Sequence, residues 1–151
     1  MMALSEAWST VNLYDDDNTN YGWRAFFNQG IFNTPSFKIR GQLDLWYGRN
    51  EKTDVGYFSP RSELNPTFTG IFHWWHYKRY DRAFRSHIYL TVGSYKQSGF
   101  DYMAVGSATY EQLIDLSRKN AIMWNLSWHY RVYDGEPTKA WSGYVALRKK
   151  F

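Results

Sequence analysis

The residues most able to do chemistry are the four histidines, and two of them, His73 and His76, flank Trp74 and Trp75. On an extended strand, positions three apart face opposite sides, so these two imidazoles share a metal ion only if a bulge intervenes. A nucleophile and base pair is the next possibility, from His87 or His129 with Ser86, Ser94 or Ser127. No nucleophile motif surrounds those serines. The run Asp15 to Asn20 offers oxygen ligands but lacks the spacing and glycine of a calcium loop, and reads as a solvated hairpin loop. The chain has no cysteine, which removes disulfides and thiolate metal sites. No metal ligand set, cofactor or catalytic group is expected, and the chain reads as something other than an enzyme.

Composition narrows the class. Of 151 residues, 21% are aromatic, with 8 Trp, 13 Tyr and 10 Phe, yet the mean hydropathy is polar at -0.61. A soluble core would set so many rings among Leu, Ile and Val, which are sparse here. A membrane β-barrel reconciles the two, because its outer face is apolar, its lumen is polar, and Trp and Tyr girdle both interfaces. No stretch approaches the roughly 18 consecutive apolar residues of a membrane helix. The net charge of +4 is spread along the chain rather than gathered in a tail, which argues against nucleic acid as a partner. Met1 to Thr10 lack the charged and apolar regions of a leader, so a removed leader or a fragment is expected. The length suits a single domain, 1–151.

The elements that carry these residues read as about eight strands. They are placed at Glu6 to Tyr14, Tyr21 to Phe32, Phe37 to Gly48, Thr67 to Lys78, Phe84 to Tyr95, Tyr102 to Leu116, Ala121 to Tyr133 and Thr138 to Phe151. The seventh is the clearest. Ile122, Trp124, Leu126, Trp128, Tyr130 and Val132 share one face, opposite Met123, Asn125, Ser127, His129 and Arg131. Likewise Phe37, Ile39, Leu43, Leu45 and Tyr47 oppose Lys38, Arg40, Gln42, Asp44 and Trp46. Phe84, Ile88, Leu90 and Val92 oppose Arg85, His87, Tyr89 and Thr91.

Between strands, the connections alternate as those of an outer-membrane barrel do, with short periplasmic turns and longer external loops. Asn33 to Ser36, Arg79 to Ala83 and Ser117 to Asn120 fall on the periplasmic side if Phe151 ends there. Asp15 to Asn20, the long Arg49 to Asn65, Gln97 to Asp101 and Asp134 to Pro137 then face outward. A terminal Phe after an alternating strand resembles the insertion signature of such barrels, with Lys149 as a departure whose stem can snorkel.

Several short motifs are similar to one family. Val55-Gly56-Tyr57-Phe58-Ser59-Pro60, Lys78-Arg79-Tyr80-Asp81-Arg82, Gly93-Ser94-Tyr95-Lys96-Gln97, Tyr110-Glu111-Gln112 and Tyr133-Asp134-Gly135 resemble the barrel of PgaA-type poly-β-1,6-N-acetylglucosamine export porins, from Asp54 to Phe151. The resemblance implies an all-β, antiparallel transmembrane barrel segment. It is either a closed small barrel of about eight strands or half of a barrel of about 16. It also implies passive export of an exopolysaccharide across the bacterial outer membrane, in a family that carries a periplasmic repeat domain absent from this sequence. A closed barrel of about eight strands is filled by side chains, so alone and closed it would not conduct a polymer. The alternative is a self-standing small barrel with a structural, adhesive or lipid-modifying role.

For a sugar polymer, the useful lumen groups are rings that stack on pyranoses and carboxylates that attract amines. Asp44, Trp46, Tyr89, Tyr95, Glu111 and Tyr144 are the lumen-facing candidates for substrate binding. Lys38, Arg40, Arg85, Arg131 and Arg148 share that face and make it at least as basic as acidic. The expected partners are outer-membrane lipid and polysaccharide, with a second half-barrel or periplasmic export components as further candidates.

Overall fold

In the computed structural model, eight strands form one sheet in chain order, each antiparallel to the last. The structure describes residues 3–13 (strand path only), 19–53, 56 and 59–149. The strands are β1 (Ala3–Leu13), β2 (Thr19–Asn33), β3 (Phe37–Asn50), β4 (Ser62–Arg79), β5 (Arg82–Gln97), β6 (Met103–Asp115), β7 (Asn120–Tyr133) and β8 (Glu136–Lys149). β1 and β8 are the two edges. The fold class is thus the expected all-β antiparallel barrel segment, with its sheet unclosed. The Asp15 to Asp17 run, Val55, Tyr57, Phe58 and Phe151 lie outside the described residues.

Register converts the alternation of single strands into two continuous faces. Asp44 lies beside Phe26 and Thr67, Ile71 beside Tyr89, His87 beside Glu111, and Asn125 beside Tyr144. All of these belong to the polar face. Phe27, Leu43, Phe68, Leu90, Val92, Leu126 and Val145 lie on the other, and each is exposed. Asn28, Asp44, Gln97 and Ser127 are buried although polar. Side chains crowd one another on the concave side of a curved sheet, so the polar face is the inner one. Exposed large apolar side chains over a whole face are stable only against lipid.

Aromatic side chains gather at both ends of the apolar face. At the rim with the long loops, Trp23 and Tyr47 lie 6.1 Å apart between ring centroids, and Trp128 stacks with Tyr130. At the other rim Phe37 packs at 4.5 Å on Trp74, and Tyr110 meets Trp124 at 5.4 Å. These are the two belts of a spanning sheet, with the aliphatic band between them.

Three connections at this second rim are short: 34–36, 80–81 and 116–119. The opposite rim has the long 51–61 loop, the 98–102 loop and a two-residue turn at 134–135. In that turn Asp134 and Gly135 have φ of 49° and 77°, the left-handed pair that a tight hairpin demands. Tyr80 also has a positive φ, 54°.

β4 differs most from the sequence expectation, starting at Ser62 rather than Thr67. Pro66 masks this part of the strand. It has no N–H to give, and the β4–β5 ladder skips from Leu64 and Lys96 to Thr67 and Gly93. The backbones approach closely there, because a Cβ on Gly93 would collide with the Pro66 carbonyl oxygen. Two bulges, between Gly30 and Phe32 and between Trp75 and Tyr77, both lie toward the short-turn rim.

Candidate functional site

All six lumen candidates stand on the polar face, in two groups. Toward the long loops, Arg24 forms an ion pair with Asp44 across β2 and β3, the carboxylate side chain only 10% exposed. Trp46 donates its indole N–H to Glu63 Oε1 at 3.0 Å, and the Tyr95 hydroxyl donates to Glu63 Oε2 at 2.8 Å. One carboxylate therefore locks two rings from separate strands. Asn65 sits between them, lining the hollows on both sides of the Trp46 and Tyr95 pair, and its Oδ1 is buried without a partner.

Nearer the middle, His87 Nδ1 lies 2.8 Å from Glu111 Oε1 and 3.5 Å from the Tyr89 hydroxyl. His73 packs edge-on against His87 with centroids 4.4 Å apart. Tyr144 is less constrained. It lies on the edge strand, 45% exposed, with its hydroxyl 3.7 Å from Met123 Sδ.

Sequence reasoning missed Arg24, Glu63, His73 and Asp115 as members of this face. Glu63 lay in a stretch read as loop because of Pro66. Arg24 and Asp115 alternate correctly with their neighbours, but only the cross-strand register shows that they meet Asp44 and Arg85.

The structure arranges the histidines and serines differently from the pairs the sequence suggested. As strand alternation requires, His73 stands on the polar face and His76 on the apolar one, its Nε2 2.8 Å from Ser86 Oγ; the bulge after Trp75 turns Tyr77, not His76, onto the apolar face. Ser86 and His87 face opposite sides. Ser127 bonds Thr109, and His129 meets Ser142 at 3.3 Å. Ser86 Oγ also reaches the Tyr110 hydroxyl, which accepts from Gln112, whose carbonyl accepts from the Trp124 indole. These five polar side chains of the apolar face thus satisfy one another, as lipid favours. Among the described residues no group of three or more His, Cys, Asp or Glu is placed to hold a metal ion.

A hollow of about 860 Å³ lies among Phe27, Leu43, Phe68 and Val92 on the apolar face. Its lining suits acyl chains. The hydrogen-bonding chemistry that could read a hydrophilic solute is on the other side, so the polar face is the candidate site.

What the face can do is limited by its pairing. Asp44, Glu63, Glu111 and Asp115 each engage a cation, a histidine or ring donors of the same face. The result is a wall of satisfied polar groups and fixed rings, able to exchange hydrogen bonds with a passing solute at little cost of rearrangement.

Comparison with known proteins agrees with this geometry. The sequence model of the family described as PgaA membrane beta barrel domain matches residues 4–149. No curated protein matches the chain. A solved structure described as a bacterial polysaccharide outer membrane secretin superposes with a TM-score of 0.91 at 17% identity. The match covers 99% of this chain and 51% of that one, so this chain spans about half its length. With two faces of opposite polarity, paired aromatic belts and a family match over nearly its whole length, the chain belongs to the PgaA membrane β-barrel domain family and is a protein of the bacterial outer membrane.

Proposed function

We propose that the chain forms half the wall of an outer-membrane pore that exports an exopolysaccharide of the poly-N-acetylglucosamine class, by passive movement and without covalent chemistry. The observation that carries this is the continuous polar face of an eight-stranded sheet whose two edges, β1 and β8, are open. Open edges in lipid leave backbone groups unsatisfied at several kcal/mol each, so the sheet is completed by further strands. A barrel of about 16 strands is wide enough to leave a channel, whereas about eight are not. The superposition on half of a polysaccharide secretin supports the same reading. Trp46, Tyr89, Tyr95 and Tyr144 supply rings for sugar faces, and Asp44, Glu63 and Glu111 supply acceptors for hydroxyl and amide hydrogens. The short-turn rim is the periplasmic one in this reading.

Reconstitution in planar bilayers tests it. A wide, steady conductance that short N-acetylglucosamine oligomers reduce is the expected result. A heat-modifiable monomer without large conductance would instead identify a closed eight-stranded barrel and overturn the export reading.

A further inference from the structure

The apolar face is not smooth between its two belts. Phe27, Leu43, Phe68 and Val92 stand side by side in one row across β2 to β5, and Trp23, Tyr47, Leu64 and Lys96 form a second row nearer the long loops. Between the rows lie Ala25, Leu45, Pro66 and Ser94, three of them short. The hollow of about 860 Å³ follows from that difference in height. Its lining includes Asp44 and Thr67, whose side chains point the other way, so backbone forms part of its floor. Clefts that hold ligands are commonly about 300–1,000 Å³.

The end of the hollow toward the long loops is cationic. Successive residues on one face of a strand are about 7 Å apart, so Lys96 stands one step beyond Ser94 and Arg49 two steps beyond Leu45. Lys96 is level with Trp23 and Tyr47, the rings of the belt, and Arg49 lies just outside them beside Tyr21 and Ser62. At this depth a long side chain covers lipid with its stem and sets its charge among headgroups. Lys96 Nζ donates to the Phe100 carbonyl oxygen and lies 5.4 Å from the Tyr102 ring centroid. No carboxylate stands on the apolar face of β2 to β5, and Glu51, in the loop after Arg49, accepts from the Tyr21 hydroxyl at 3.1 Å.

We propose that this is a binding site for a phosphorylated, multiply acylated lipid of the outer leaflet, with acyl chain in the hollow and phosphate at Lys96 and Arg49. It rests on the orientation in which the long-loop rim is external. The hollow lies on the lipid-facing side, so its occupant is an acyl chain or the apolar face of another protein. Two cations at headgroup level, with no carboxylate on their face, complement a phosphate and favour the lipid. Their Cα atoms are two strands and one step apart, roughly 12 Å, which suits a head with two phosphates better than a head with one.

Native mass spectrometry of the full chain in neutral detergent tests the proposal, with diphosphoryl hexa-acyl lipid A, its phosphate-free form and phosphatidylglycerol as probes at equal concentration. The diphosphoryl lipid should be retained about tenfold or more above either of the others, and raised salt should weaken it. Arg49→Gln with Lys96→Gln should remove most of that preference. Ala25→Phe fills the hollow with a ring that lipid tolerates, keeps both cations, and should lower retention to a similar degree. Lys139→Gln, at the same rim and on the same face but on β8, should leave retention unchanged. Equal retention of phosphatidylglycerol or of the phosphate-free lipid, or indifference to both site variants, overturns the proposal. Association of two copies that Ala25→Phe abolishes overturns it too, making the hollow a contact between barrels. Block of conductance by N-acetylglucosamine oligomers should be the same in Ala25→Phe as in the parent protein, so failure of the lipid site and failure of the export reading are separate results.

Discussion

At the scale of single residues, the polar face is organised by pairs whose members come from neighbouring strands. Arg24 and Asp44 are the clearest, with Asp44 nearly covered and Arg24 side chain 43% exposed. Because Arg24 is well solvated, Arg24→Gln should cost only about 1 kcal/mol, read from the urea midpoint of the protein in bilayers. Adding Asp44→Asn should recover part of the loss, since no uncompensated carboxylate then remains. Trp46 has two roles, a ring for sugar faces and an indole N–H held by Glu63. Trp46→Phe keeps the ring and should retain most oligosaccharide block of conductance, while Trp46→Ala should lose it. The sequence alone made Asp44, Trp46 and Tyr95 legible as face-sharing residues, because alternation needs no knowledge of neighbours. Their partners were not legible. Glu63 and Arg24 become partners only once register aligns strands 17 and 20 residues apart in chain.

At the scale of strands, the division into lipid and lumen faces makes a sharp prediction. Leu43→Arg places a guanidinium in the apolar band and should cost about 2–4 kcal/mol or abolish insertion. Thr69→Arg, one strand away on the polar face, should insert normally, as judged by protease resistance in vesicles. The crossing of β4 and β5 is a second sensitive point. Gly93→Ala should sharply lower the folded yield, because the Pro66 carbonyl occupies the space of the new methyl group. Tyr80, exposed and at positive φ in the 80–81 turn, predicts the opposite sign. Tyr80→Gly should raise the urea midpoint slightly, relieving a backbone conformation that glycine adopts freely. All eight strands were legible in existence and seven of them in approximate extent, most clearly β3, β5 and β7, whose polar and apolar residues alternate. The first five residues of β4 were hidden by a proline inside the strand, and both bulges were invisible because they fall in the runs Ile31-Phe32 and Trp74 to Tyr77, where neighbouring residues are alike and a shift in alternation does not show.

At the scale of the whole molecule, seven hairpin-linked ladders arise from one unbroken meander, while the β1 and β8 edges have no partner in the sheet. The protein purified from bilayers should therefore not be an open monomeric sheet. Mass measurement in detergent should find it closed with additional strands, and a stable, lipid-exposed single sheet would contradict the barrel assignment. The meander also has a kinetic meaning. Each of the seven ladders is closed by its own turn, so the entropy of bringing its strands together is small and fixed by the chain. The seams at β1 and β8 have no such tether within the sheet. When a separate polypeptide fills them, completion becomes a bimolecular event, and the amount of finished barrel follows the supply of the scarcer half.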